Sequence, residues 1–202
     1  MLAMTISLEK TRAGAHGDLR EGLISAGLTL LARDGASGLT LRKCAALAGV
    51  SHAAPAHHFD GLPGLLDAIA ARGFEMFADV MEARAAAAPQ EPRARLEAIC
   101  LGYFDFARDN PALYDLMFRQ IWSLAGSSEE LGRSGARAYA VLADTCAPFV
   151  QEGQEPGVVE TQVWSLIHGY ATLVLVGKLG RNRAIASVTD VLGLLGGLAL
   201  AD

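Results

Sequence analysis

The stretch from Leu39 to Phe59, LTLRKCAALAGVSHAAPAHHF, specifies a local geometry more fully than any other part of the chain. Thr40 is a good helix N-cap, because its hydroxyl can accept a hydrogen bond from a backbone N–H one turn further on. Apolar residues then recur at helical spacing, at Leu41, Cys44, Ala45 and Ala48. The stretch therefore predicts a short helix that begins just after Thr40.

A turn and a second helix follow in the same stretch. Gly49 lies where the chain must reverse, and we expect a positive φ there. Val50 would pack between the two helices, and Ser51 can cap the second one. Two helices joined by a few residues that include Gly form a helix-turn-helix, whose second helix enters the major groove of DNA. The stretch thus predicts a DNA-binding unit.

The same residues resemble the N-terminal domain of the TetR family of repressors. The resemblance is carried by Thr40-Leu41-Arg42, Ala48-Gly49-Val50-Ser51 and His58-Phe59. The chain departs from the family pattern at Ala56, where members usually have Tyr, and at Leu62, where they usually have Lys. Both missing side chains contact phosphate in the family. A helical protein of the same fold that binds a small molecule or a partner, but binds DNA weakly, is therefore the alternative interpretation.

Several residues of this unit are candidate DNA contacts. Arg42 and Lys43 lie at a helix N-terminus, where the helix dipole favours an anion such as phosphate; a solvated surface pair is the alternative. His52 is the best candidate for a base edge, and the Pro55 ring can contact a thymine methyl. The histidines do not predict a metal site, because no Cys or acid lies at suitable spacing. The predicted DNA-binding set is Thr40, Arg42, Lys43, Ser51, His52, Ala53, Pro55, His57 and His58.

Composition and charge limit the class of protein. A chain of 202 residues can bury a core without disulfides. Its three cysteines lie far apart at apolar helical positions, which favours buried thiols, with a redox sensor as the alternative. No segment has the pattern of a signal peptide or a membrane span, so we expect a cytoplasmic protein. The net charge of −5 argues against a protein that coats nucleic acid by electrostatics alone.

The predicted architecture is all-α, with about nine helices. Residues 1–17 would form a flexible N-terminal arm, residues 18–61 a three-helix DNA-binding domain, and residues 62–202 a ligand-binding and dimerisation domain. The acidic excess falls entirely after Asp60, which suits a small DNA-binding head on an acidic body. Helices over residues 158–179 and 184–201 are the most apolar, which favours a homodimer through these last two helices; two ordinary core helices are the alternative.

The second half of the chain predicts a small-molecule pocket. Trp164, His168 and Gly169, with residues 111–118 upstream, resemble the C-terminal domain of TetR-type regulators named for a Trp-His-Gly signature. Aromatic and Met-bearing walls with few charges predict a mostly apolar ligand, although plain core packing is the alternative for each residue. The pocket candidates are Tyr103, Phe104, Met117, Phe118, Trp122, Trp164 and His168.

No catalytic arrangement and no cofactor are predicted. The chain has no Gly-rich phosphate loop and no nucleophile elbow, and no second titratable partner for His168 is evident. We therefore expect a dimeric repressor that binds a near-palindromic operator and is released by a small, mostly apolar effector.

Overall fold

The computed structural model describes residues 16–121, 128–179 and 186–201, and every regular element in these ranges is helical. The all-α fold predicted from the sequence is confirmed. The α-helices of the described ranges are α1 His16–Asp34, α2 Leu41–Ala48, α3 Gly61–Ala87, α4 Pro92–Asp109, α5 Pro111–Asp115, α6 Glu129–Cys146, α7 Pro156–Leu175 and α8 Val188–Leu192. Most of the predicted N-terminal arm lies outside the described residues. Within these ranges no helix is both long and apolar enough to cross a membrane.

The first half of the helix-turn-helix forms as predicted. Thr40 Oγ1 accepts a hydrogen bond from the Lys43 N–H at 3.2 Å and caps α2. Gly49 ends the helix with φ of 72°, in the left-handed region that glycine adopts at no steric cost. Cys44 and Ala45 are buried against the neighbouring helices. Local capping and turn rules therefore account for this helix.

The second half differs from the prediction. Ala54–His57 forms a single 3₁₀ turn rather than an α-helix, and the Ser51 side chain does not cap it. In an α-helix capped at Ser51, the Ser51 carbonyl would accept from the N–H of residue 55, which is Pro55 and has none. The carbonyl accepts instead from the Ala54 N–H at 3.1 Å. Proline thus shortens the segment to one turn.

Helix α3 is the centre of the body and packs against α1, α4 and α6. Gly102 of α4 allows the close approach of α3 and α4. A Cβ at this position would lie 3.2 Å from Met81 Cα and 3.3 Å from the Val80 carbonyl oxygen. Leu65 and Ile69 of α3 are fully buried in the core.

The end of the chain also differs from the prediction, which placed one helix over residues 184–201. Helix α8 covers Val188–Leu192 and is followed by a 3₁₀ segment, Gly193–Gly197. Three glycines between residues 193 and 197 weaken helix propensity by about 1 kcal/mol each. Arg93 donates to the carbonyls of Leu195 and Leu198, so tertiary contacts add to the 3₁₀ hydrogen bonds that hold the backbone here.

Candidate functional site

A cavity of about 650 Å³ lies in the helical body, among residues of α3, α4, α6 and α7. The described residues that line it include no Asp, Glu, Lys or Arg. Its aromatic lining residues are Phe74, Phe77, Tyr103, Phe118, Tyr139 and Trp164, and His168 adds a polar side chain. The size and lining are those of a site for a small, mostly apolar molecule.

Phe118 reaches the cavity from a π-helical segment, Leu116–Gln120, that continues α5. Its ring makes edge contacts with Phe74 at 5.5 Å and Phe77 at 5.9 Å between centroids. Such segments are rare and often occur at functional sites, because the extra residue in the turn redirects the side chains that follow. The geometry of this segment therefore sets the position of one cavity wall.

Three polar side chains meet at one edge of the cavity. The hydroxyls of Tyr103 and Tyr114 lie 2.7 Å and 2.9 Å from Nδ1 of His168, and 3.2 Å from each other. Burial raises the pKa of both tyrosines, and burial lowers the pKa of His168. All three groups are therefore uncharged at neutral pH.

The hydrogen bonds of this cluster determine which nitrogen of His168 carries the proton. Each tyrosine hydroxyl has one hydrogen to donate, and a bare Nδ1 can accept from Tyr103 while Tyr114 donates to Nδ1 or to the Tyr103 oxygen. A protonated Nδ1 would leave one hydroxyl hydrogen without an acceptor in the cluster. Within this cluster the network favours neutral His168 with its proton on Nε2, and we assign that tautomer.

A second cavity of about 380 Å³ lies beside the first, and His168 and Phe118 line both. Tyr114 and Thr172 line only the second cavity. Oγ1 of Thr172 is a buried side-chain oxygen without a hydrogen-bond partner in the described part of the chain. The two cavities are thus separated by the same pair of side chains.

Four of the seven predicted pocket residues line the larger cavity: Tyr103, Phe118, Trp164 and His168. Phe104 does not line it; its ring packs against Tyr170, 5.3 Å between centroids, and under the Arg108 guanidinium. Met117 is fully buried in the core. Each of these two residues is the chain neighbour of a lining residue, and adjacent helical positions point about 100° apart.

Trp122 lies outside the described residues. Phe74, Phe77 and Tyr114 belong to the site but were not predicted. The spacing of Phe74 and Phe77 places them on one face of α3, which was a usable signal. It could not distinguish a cavity wall from ordinary core.

Cys100 lines the cavity, and Cys146 is buried beside it. Burial raises the pKa of Cys146 to about 12 and raises that of Cys100 as well. Both thiols are therefore protonated at neutral pH, and a protonated thiol is a poor nucleophile.

Some of the predicted DNA-binding side chains are exposed, and others are buried or make contacts within the protein. Thr40, Arg42, Ser51, His52, Ala53 and His57 are exposed. Lys43 is also exposed, but its Nζ donates to the Gly38 carbonyl at 2.7 Å. Pro55 is buried and His58 is half-buried next to the Phe59 ring. The exposed surface of the helix-turn-helix thus holds most, but not all, of the predicted set.

Ion pairs join α1 of the head to the body. Arg72 of α3 forms a bidentate pair with Glu21 at 2.6 and 2.7 Å. Arg20 pairs with Glu130 in the first turn of α6, and its guanidinium lies 5.5 Å from the Phe59 ring centroid. Helix α6 therefore contacts the head at its beginning and lines the cavity further along.

Comparison with known proteins shows which proteins this chain resembles. Residues 96–192 match the family model described as the tetracyclin repressor-like C-terminal domain. An uncharacterised HTH-type transcriptional regulator of Mycobacterium tuberculosis is 25% identical over 183 residues, which cover 89% of this chain and 81% of that protein. The finer resemblance to the Trp-His-Gly group stays a prediction.

Solved structures share the whole fold. A protein of unknown function from Rhodococcus sp. RHA1 has a TM-score of 0.75 at 29% identity, covering 92% of this chain and 95% of that one. A TetR family transcription regulator from Marinobacter aquaeolei VT8 has a TM-score of 0.64 at 17% identity, covering 88% of this chain and 93% of that one. With its capped α2, its glycine turn and the matched C-terminal domain, the chain is similar to TetR family transcriptional regulators.

Proposed function

We propose that the protein is a homodimeric repressor that releases its operator when a small, mostly apolar molecule enters the 650 Å³ cavity. The observation that carries the proposal is the position of α6. This helix lines the cavity with Tyr139 and Leu142 and pairs with the head through Glu130. One rigid element therefore touches both the effector site and the DNA-binding unit.

The beginning of α6 is tied to α3 as well as to α1. Ser128 caps α6 by accepting from the Leu131 N–H at 3.1 Å. Asp67 of α3, which is buried, accepts from the Ser128 N–H at 3.2 Å and from its hydroxyl. A ligand that moves α6 must change these contacts, and it shifts the equilibrium by its difference in affinity for the two arrangements.

A homodimer is supported by an exposed apolar surface at the C-terminal end of α7. Leu173 near the end of the helix and Val176 directly after it are exposed, and the partly buried Leu166 and Gly169 precede them at helical spacing. Leu192 and Leu195, from the predicted apolar stripe of the last helix, are buried within the protomer. We therefore propose that α7 contributes most of the interface and that the tail adds Leu194, which is 71% exposed. Two copies would present two helix-turn-helix units to a near-palindromic operator.

A mobility shift with the DNA upstream of the protein's own coding sequence, measured across a salt series, tests the proposal. We expect binding that weakens steeply with salt. The slope should be smaller for Arg42→Ala, because a protein that neutralises one phosphate fewer releases fewer counterions when it binds. Ala46→Ser, at an exposed position on α2, serves as the control that removes no positive charge. Absence of a shift on any intergenic fragment at low salt would favour the alternative, a regulator fold with weak or lost DNA binding.

A further inference from the structure

The polar edge of the cavity specifies the chemistry of its ligand. We propose that the effector is an uncharged, largely apolar molecule with a hydrogen-bond acceptor, such as a ketone, ester or ether oxygen, which the Nε2–H group of His168 binds. The proposal rests on the proposed function in one respect, namely that the cavity is the effector site. It goes further by naming the ligand class and the anchoring atom.

The hydrogen bonds of His168 supply the donor. The hydroxyls of Tyr103 and Tyr114 lie 2.7 and 2.9 Å from Nδ1, and we therefore assign the proton of the neutral ring to Nε2. Among the described residues Nε2 has no hydrogen-bond partner, and it is not one of the polar atoms sealed in the core. It is therefore an accessible donor on a residue that lines the 650 Å³ cavity and the smaller cavity beside it.

An open donor in an apolar wall selects for an acceptor on the ligand. A ligand that covers Nε2–H with a hydrocarbon leaves the donor desolvated and unpaired, and this costs affinity. A ligand with an oxygen at that place pairs the donor and keeps the rest of its surface against aromatic side chains. The preference arises at one atom, so matched ligands that differ only there should reveal it.

The cavity also disfavours a charged ligand. No described lining residue carries a formal charge that would pair with an anion or a cation. The lowered pKa of His168 keeps the ring neutral. Glu160, a buried carboxylate on α7, accepts a hydrogen bond from the lining residue Tyr139. Burying an ion without a partner costs far more than burying a carbonyl, and a carboxylate near Glu160 would be disfavoured further.

Three diaryl compounds test the proposal by displacing a neutral fluorescent dye, N-phenyl-1-naphthylamine, from the full-length protein. Benzophenone has a carbonyl acceptor, diphenylmethane is its hydrocarbon analogue, and 4-benzoylbenzoate adds a carboxylate. We expect benzophenone to displace the dye at concentrations about three- to tenfold lower than diphenylmethane, the range that a single hydrogen bond supplies. We expect 4-benzoylbenzoate to be the weakest competitor.

Variants of His168 locate the preference. In His168→Phe the donor is absent, so benzophenone and diphenylmethane should displace the dye within about twofold of each other. In His168→Gln the side-chain amide can both accept from a tyrosine and donate to the ligand, so part of the preference should remain. Circular dichroism melting checks that each variant is folded.

Each failure has a distinct meaning. If benzophenone and diphenylmethane displaced the dye equally well from the wild-type protein, the proposed requirement for a hydrogen-bond acceptor on the ligand would be wrong, whether or not His168→Phe folds. If a folded His168→Phe variant kept the full preference for benzophenone, His168 would not be the group that binds the ligand oxygen. If 4-benzoylbenzoate were the strongest competitor, the proposal that the ligand is uncharged would be wrong. Failure of the dye to bind would overturn the cavity as the effector site, and the proposed function with it.

Discussion

Arg20 of α1 and Glu130 of α6 form an ion pair across 110 positions of sequence, with the two side chains 35% and 37% exposed. The pair connects the DNA-binding head to the first turn of the helix that lines the cavity. A half-exposed pair of this kind adds little to stability. The pair is of interest because it lies between the helix-turn-helix and the cavity.

Removal of this pair should alter operator affinity through one shared contact. We expect Arg20→Ala and Glu130→Gln each to change the operator Kd by about two- to fivefold, and the double variant to change it no further. Arg133→Ala breaks a comparable pair with Glu129 within α6 and should leave the Kd unchanged. Mobility-shift titrations measure all four proteins. Fully additive single effects would show that the two side chains act independently.

Filling the cavity from α6 should weaken ligand binding without loss of stability. Gly135 lines the cavity, and a Cβ added there meets no atom within 4 Å. Gly135→Leu should weaken binding of N-phenyl-1-naphthylamine by about tenfold, which corresponds to about 1.4 kcal/mol of binding free energy. The free energy of unfolding should stay level or rise by up to about 1 kcal/mol, because Leu favours a helix more than Gly.

The matched control for this substitution is Ala140→Leu, which adds a Leu at an exposed position of α6 that does not line the cavity. Dye titration of both variants measures the effect of filling the cavity on dye binding, and urea unfolding measures the effect of each substitution on stability. Unchanged dye affinity in Gly135→Leu would place the dye outside this cavity.

Local rules predicted the first half of the helix-turn-helix because its determinants are close in sequence. The Thr40 cap and the Gly49 turn each depend on contacts within about one helical turn. Pro55 is also local, and the missing N–H that turns Ala54–His57 into a 3₁₀ segment follows from it. The resemblance to a family with a full recognition helix outweighed that signal.

The cavity was only partly predictable because its walls come from several helices that are distant in sequence and meet only where the helices pack. Periodicity indicated that Trp164 and His168 share a face of α7, and both line the cavity. It did not indicate that Phe77 of α3 would lie 4.8 Å from Tyr103 of α4, between ring centroids. Likewise, an apolar stripe that contains Leu192 does not show whether core or partner covers it.

Substitution of the α2 cap should destabilise the head by a known increment. Thr40→Ala removes the acceptor for the Lys43 N–H, and we expect a loss of about 1 kcal/mol in the free energy of unfolding. Thr40→Ser retains the hydroxyl and should lose much less. Urea denaturation followed by circular dichroism provides the measurement. Equal losses in the two variants would assign the effect to the Thr methyl rather than to the cap.

His168 should make stability depend on pH in a defined window. Burial lowers its folded-state pKa below 6.5, so the unfolded chain binds more protons and stability decreases as pH falls from about 6.5 towards the folded pKa. Tyr103 and Tyr114, which face the ring from α4 and α5, stay protonated throughout because their pKa values are raised. His168→Gln should therefore lose less stability than the wild-type protein between pH 7 and pH 5.

The wild-type protein and the variant differ only at position 168, so the difference between their pH profiles isolates His168. Unfolding by urea at several pH values measures it. Parallel pH profiles would show that the imidazole gains no charge on unfolding.

The exposed apolar surface at the C-terminal end of α7 gives a prediction for the dimer. Leu173→Glu should yield a monomer by multi-angle light scattering, because it places a carboxylate on an apolar face that a second copy would bury. Leu192 is a poor test site because it is 2% exposed within the protomer, so a charge there would unfold the chain. Leu47→Glu is the matched control, since Leu47 on α2 is 49% exposed and Leu173 is 44% exposed. A dimer that survives Leu173→Glu would exclude this face of α7 as the interface.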